Sequence, residues 1–159
     1  MVRARWPLTN PYAGGGCPVV TQSVTIRAMS QREVGLILMR QLASGLAVPT
    51  IIFDDEGETL FYNEPAEVLL GQRFDDVGDL PLAGTARIFD LRDDKGVPLS
   101  PDQVPAAVAM QERRAVHRMV WVRGLDGVER LVEVTAFPLL GGGGHLIGGV
   151  AMFWERQKQ

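Results

Sequence analysis

The chain of 159 residues is long enough for one domain with a real core, and its 46% apolar and 22% charged content is that of an ordinary globular protein. Its formal net charge is −3 and its largest basic cluster is the pair Arg113–Arg114, which argues against a nucleic-acid surface. No apolar run approaches the roughly 20 residues that span a bilayer, Met1 to Pro7 is not followed by the apolar stretch of a signal peptide, and the single cysteine, Cys17, has no partner for an internal disulfide, so the expected setting is the cytoplasm, with no membrane partner.

Residues 1–29 contain Pro7, Pro11 and Gly14-Gly15-Gly16 and carry three arginines and no acid, whereas every Asp and Glu lies later. That shift marks an arm. Within it Val20, Val24 and Ile26 alternate with Thr21, Ser23 and Thr25, a strand signal suited to a sheet edge or a second subunit, while the composition suits a flexible leader. A translation start at Met29 would remove the arm altogether.

Ser30-Gln31-Arg32-Glu33 fits a capping box, with the Ser30 hydroxyl accepting from the Glu33 amide and the Glu33 side chain reaching back, and Met29 and Val34 stand at the staple positions. The helix predicted from Ser30 continues through Val34, Ile37, Leu38, Met39, Leu42 and Leu46, and Pro49 ends it. Leu36-Ile37-Leu38-Met39 wraps apolar side chains round more than one face, although docking on its own domain needs only one stripe. The surplus predicts a second contact, most simply the same helix of another copy. Val34, Ile37, Leu38, Met39, Leu42 and Leu46 are therefore the expected homodimer interface.

Thr50 to Phe53 is a short β-branched run, Asp54-Asp55-Glu56-Gly57 a turn, and Thr59 to Tyr62 the returning strand. Asn63 stands at a helix N-cap, Pro65 in the first turn, and Ala66, Val68, Leu69 and Leu70 follow before Gly71 ends the helix. From Gln72 to Leu99 the chain is rich in Gly, Asp and Pro and reads as short helical turns and loops. Ser100-Pro101-Asp102-Gln103 is a second capping-box match, and Pro105 predicts one turn, a kink, and a helix from about Pro105 to Arg113. Three strands follow: Val116–Arg123, Val128–Leu139 and Leu146–Trp154. In the first, Val116, Val120 and Val122 oppose His117, Met119 and Trp121. In the last, Val150, Met152 and Trp154 oppose Ile147, Ala151 and Phe153. Both faces are apolar, so the outer one needs a cover as well, and the helix from Ser30 is the natural one.

This sequence resembles the PAS domain family. The likeness rests on the opening hairpin followed by Asn63, Ala66, Leu70 and Gly71 in an Asn-x-x-Ala-x-x-x-Leu-Gly type helix. It continues through the Leu99-Ser100-Pro101 approach to the long helix and the closing stretches Val132–Leu139 and Ile147–Phe153. The resemblance implies an α+β fold with a five-stranded antiparallel sheet, helices on one face and a small cavity between them, to which the helix from Ser30 adds an N-terminal cap. The expected organisation is an arm at 1–29, a helix at 30–47, a PAS-like domain at 48–155 and a tail at 156–159.

The resemblance also supplies cofactor patterns to look for. The photoreactive flavin pattern needs a cysteine in an Asn-Cys-Arg context, which the surroundings of Gly84-Thr85-Ala86-Arg87 lack, and Val150 stands where that branch uses Gln. The haem pattern needs a histidine on or near the long helix, and residues 101–114 hold none; the chromophore pattern needs a cysteine within the fold, outside which Cys17 lies. No cofactor is therefore predicted. The candidate cavity lining is Ile52, Phe61, Leu69, Phe89, Val108, Val120, Val134 and Val150, a set that would serve equally as plain core and, as a site, would take an apolar ligand.

His117 reads as an imidazole with a local hydrogen bond and His145 as a solvated loop residue; no second ligand stands at metal spacing from either. Asp54-Asp55 and Asp93-Asp94 fall in turns, where Asp is favoured by its bonds to the backbone. The glycines at 141–144 lack the lysine and the strand-loop-helix context of a phosphate cradle. No nucleophile is paired with a base, so the expectation is a non-enzymatic, stand-alone sensory or interaction module that binds a small apolar ligand or a protein partner. It would act in trans on an unidentified signalling protein. Two alternatives belong to other classes. One is a small α+β isomerase or hydrolase using a cavity carboxylate or His117; the other is a ligand-free dimeric adaptor.

Overall fold

The computed structural model describes residues 31–77 and 80–156. The arm at 1–29 with its Val20–Ile26 alternation, Ser30 with its half of the capping box, the Glu33 side chain and residues 157–159 lie outside what is described.

The described elements are α1 (Gln31–Ser44), β1 (Thr50–Asp54), β2 (Thr59–Tyr62), α2 (Glu64–Leu70), α3 (Phe74–Val77), α4 (Leu82–Ile88), β3 (Arg92–Asp93), α5 (Pro105–Glu112), β4 (Val116–Arg123), β5 (Glu129–Leu140) and β6 (Leu146–Glu155). The six strands form one antiparallel sheet in the order β2-β1-β6-β5-β4-β3. The fold is α+β, with the sheet one strand wider than expected. The extra strand is the two-residue β3, which pairs Arg92 with Trp121 and Asp93 with Val120. It carries no run of β-branched residues, and it exists because Asp93 turns the chain back: its Oδ1 accepts from the amides of Lys95 at 2.9 Å and Val97 at 2.8 Å.

The local chemistry read from the sequence explains most boundaries. Asp54 Oδ1 accepts from the amides of Glu56 and Glu58 at 3.0 and 2.8 Å, which closes the β1–β2 hairpin. Asn63 caps α2 by accepting from the Ala66 amide at 3.2 Å, and Gly71 ends it in the left-handed region at φ 74°. Gly71 is required twice over, because a Cβ there would also stand 2.7 Å from the Asp126 amide nitrogen. Pro101–Gln103 makes a single 3-10 turn, with the Gln103 side chain accepting from the Ser100 amide at 3.1 Å; Val104 breaks away at ψ 130°, and α5 begins at Pro105. β5 starts at Glu129 and not at Val128, which closes the preceding turn by donating to Asp126 Oδ1 at 3.0 Å.

One boundary differs in substance: α1 ends at Ser44, so Leu46 lies beyond it. The Ser44 hydroxyl donates to Arg40 O at 2.9 Å, a side-chain bond that competes with the helical ladder, and Gly45 turns the chain.

Successive residues of each strand face opposite sides of the sheet, and over β1 and β6 both sides are buried. Ile51, Phe53, Tyr62, Val116, Val120, Val122, Val132, Val134, Ala136, Ala151 and Phe153 are buried in one cluster with the apolar sides of α2, α4 and α5. The opposite face carries Ile52 and Val150, both buried with Ala43 of α1, and Met39, Leu60, Phe61, Phe137, Leu139 and Met152 pack around them. The expected helical cover is therefore present, over β1, β2 and β6. On β4, Met119 and Trp121 are half-buried and His117 is exposed.

Candidate functional site

Between the inner face of the sheet and helices α2, α4 and α5 lies a cavity of about 50 Å³. Its floor is made by Ile51 and Phe53 of β1, Val120 and Val122 of β4, Val134 of β5, and Ala151 and Phe153 of β6. Its roof comes from Leu69 and Leu70 of α2, Leu82, Thr85 and Phe89 of α4, Leu91, and Val104, Pro105 and Ala106 at the start of α5. Thr85 supplies the wall's only hydroxyl, and it already donates to Leu82 O at 2.7 Å. No titratable side chain faces in. A space lined in this way offers no side-chain hydrogen-bond partners to water, and its chemistry suits a small, neutral, apolar group.

Of the eight residues predicted to line a cavity, Leu69, Phe89, Val120 and Val134 are on its wall. Ile52, Phe61 and Val150 are together, but on the other face of the sheet, where Ile52 pairs with Phe61 on one side and Val150 on the other. A one-residue change of register moves every side chain of a strand to the opposite face, and here both faces are apolar, so hydrophobicity could not decide between Ile51 and Ile52 or between Val150 and Ala151. Val108 is buried in the main cluster, but it is Ala106, two residues earlier on α5, that reaches the cavity. The wall residues Ile51, Phe53, Ala151 and Phe153 were legible only through the strand pairing itself.

On α1, Leu38 and Leu42 are 63% and 60% exposed, and Val34 and Ile37 are also exposed. These four point away from the domain. Met39 instead turns down onto the sheet, Arg40 places its guanidinium 4.9 Å from the Phe61 ring centre, and Leu46 is half-buried beyond the helix end. His117 projects from the outer face with Nδ1 2.8 Å from Thr135 Oγ1, so it cannot act as a base inside the cavity. His145 is exposed, with Nδ1 2.7 Å from Gly142 O. Among the described residues no group of three or more His, Cys, Asp or Glu is placed to hold a metal ion, and no helix is long and apolar enough to cross a membrane.

The charged groups with perturbed acidity lie away from the cavity. Arg92 and Arg123 bridge Asp90 and Glu129 at the β3–β4–β5 edge, and these partners hold both carboxyls below the usual range. Asp126 is lowered by Arg130, whose guanidinium bonds it at 2.8 Å, and by the Val128 amide. Tyr62 is the exception in kind: burial, with the negative charges of Glu67 and Asp76 nearby, pushes its phenol up to about 12. It therefore stays neutral and donates to Gln72 O at 3.2 Å.

No family model matches the chain, and no curated protein matches it. Solved structures do. The PAS domain of nitrogen regulation protein NR(II) from Vibrio parahaemolyticus aligns with a TM-score of 0.54 at 16% identity, over 75% of this chain and 98% of that one. The PAS domain of Bordetella pertussis BvgS gives 0.52 at 20% identity, over 79% and 88%. The Rhodobacter sphaeroides LOV protein gives 0.61 at 11% identity, over 77% and 68%. The chain thus has a PAS-like fold. The polar ring edge of a flavin would find no free hydrogen-bonding side chain on the cavity wall, so these residues do not fit that cofactor.

Proposed function

We propose that this domain is a PAS-type sensory module of the cytoplasm that takes a small, neutral, apolar ligand in the cavity between sheet and helices and passes its state to another protein in trans. The observation that carries this reading is the cavity wall, apolar throughout, with its one hydroxyl already satisfied. Such a wall can recognise a guest by shape and exclusion of water but offers no group for acid–base chemistry, which supports sensing over catalysis. The outward residues of α1, Val34, Ile37, Leu38 and Leu42, fit a homodimer built on that helix, with Met39 and Leu46 serving the contact of each copy with its own sheet and connection.

The small volume favours a second reading, a dimeric adaptor whose cavity stays empty. One sample of freshly purified protein separates the two. An absorbance spectrum, then native and denaturing mass spectrometry, is expected to show a dimer that releases a neutral small molecule. Two bare chains would leave the adaptor, and a tightly held charged ligand would overturn the apolar site.

A further inference from the structure

Asn63 does far more than cap α2. It is 1% exposed, and its side chain makes five hydrogen bonds: Nδ2 donates to the carbonyls of Ala43 at 3.0 Å, Leu46 at 3.2 Å and Val48 at 2.9 Å, while Oδ1 accepts from the amides of Thr50 at 2.9 Å and Ala66 at 3.2 Å. The donor half therefore gathers the end of α1 and the connection that follows it. The acceptor half holds the first residue of β1 and the first turn of α2. An amide nitrogen with two hydrogens serving three carbonyls is fully used, and each of those carbonyls is left without this donor if the side chain changes.

The apolar hold of α1 on the domain is slight by comparison. Ala43 is its one fully buried side chain among the described residues, Met39 is half-buried, and Val34, Ile37, Leu38 and Leu42 face outward. Yet what lies beneath α1, Ile52 and Val150, is buried almost completely. We propose that α1 is a releasable cover over the outer face of the sheet and that Asn63 is its latch: the donor half of one buried amide decides whether the helix is docked, and release uncovers the apolar patch around Ile52 and Val150. The latch is independent of what the cavity holds.

Amide hydrogen exchange on the full chain tests it, with Leu38–Ser44 reporting on α1 and Val132–Ala136 in the middle of β5 reporting on the fold. In the unsubstituted protein the α1 amides are expected to open as a unit, at least about tenfold more often than those of β5. Asn63→Asp keeps an acceptor for Thr50 and Ala66 but removes both donor hydrogens and sets a carboxylate against three carbonyls. Asn63→Ser keeps a cap for α2 and cannot reach α1. Both are expected to raise α1 exchange by about tenfold or more while β5 changes by about twofold or less. Equal acceleration of α1 and β5 would mean that Asn63 merely holds the whole domain together, and unchanged α1 exchange would mean that apolar packing holds the helix; either overturns the latch. If the variants fail to fold, the unsubstituted protein decides, because α1 amides that exchange only with global unfolding also overturn it.

Discussion

Replacing Ala151 with valine should stabilise the protein refolded free of any guest. Ala151 is buried on the inner face of β6, paired with Ile51 on one side and Ala136 on the other, and it lines the cavity. An unfilled core space costs about 24 cal/mol per Å³, so the cavity of about 50 Å³ represents roughly 1.2 kcal/mol. Valine adds two methyl-sized groups, worth about 0.8 kcal/mol each when buried, and its branched side chain suits a strand. Fixing the added rotor and an imperfect fit offset part of this, leaving a net gain of about 1 kcal/mol, or a rise of roughly 4 °C in Tm for a domain of this size. Urea unfolding measures it, with an unchanged m-value showing that the same surface is exposed. A loss of about 1 kcal/mol or more would refute the reasoning, since that is the signature of forcing methyl groups into space already filled by side chains.

Leu38→Glu or Leu42→Glu should leave the fold within about 0.5 kcal/mol, because both side chains are exposed, yet convert a dimer to monomer by light scattering; an unchanged dimer would remove α1 from the interface. Gly148→Ala should cost about 3 kcal/mol or more, because its Cβ would stand 2.1 Å from Phe53 O and 3.2 Å from Asp54 Cα, both backbone atoms of β1. Gly149→Ala crowds only the flexible Met110 side chain, at 2.8 Å, with Phe137 O at an ordinary 3.7 Å, and should cost far less; equal losses in urea would mean that the β1–β6 contact yields. The Tyr62 phenol is raised from 10.0 to about 12 in the folded protein, so its contribution is complete below pH 10 and is lost as pH rises toward 12. Tyr62→Phe should flatten that alkaline limb in denaturant melts at stepped pH, and an identical limb in both proteins would assign it to another group.

How far the sequence could be read depended on whether a residue type had one physical role or two. Asn63, Gly71, Asp54 and Pro105 each act through backbone chemistry that few other residues can perform, and the hairpin turn, both ends of α2 and the start of α5 stand where those residues placed them. On β4, His117 and Arg123 mark the outer face at either end, although Met119 and Trp121 between them are apolar and Arg118 stands on the side of Val116 and Val120. β1 and β6 are different. Thr50 and Asp54 share the outer face with Ile52, but Ile51 and Ile52 are alike in hydrophobicity and the last strand is apolar on both faces, so composition gives no decisive signal for the cavity side; Ile52 and Val150 fell on the wrong face for that reason. What settles it is pairing. The Ile51–Tyr62 and Ile51–Ala151 partners place Ile51 inside, and such partners are set by contacts far apart in the chain, not by local composition.

The same two-sidedness explains why this fold has a cover at all. An antiparallel sheet with one wet face needs polar residues there, whereas this one presents Ile52, Val150, Met152, Phe137 and Leu139 outward. Water must be kept from that surface, and α1 does so over β1, β2 and β6 while burying little of itself. Met39 and Ala43 are the apolar side chains it buries, and the three bonds from the Asn63 amide nitrogen hold its end and the connection that follows. If α1 lifts, the sheet must find another apolar cover, and the outward Leu38 and Leu42 must find one too. The dimer contact proposed through Leu38 and Leu42 is made by the docked helix, so release of α1 in the Asn63 variants is expected to weaken that dimer, and light scattering reads this beside exchange.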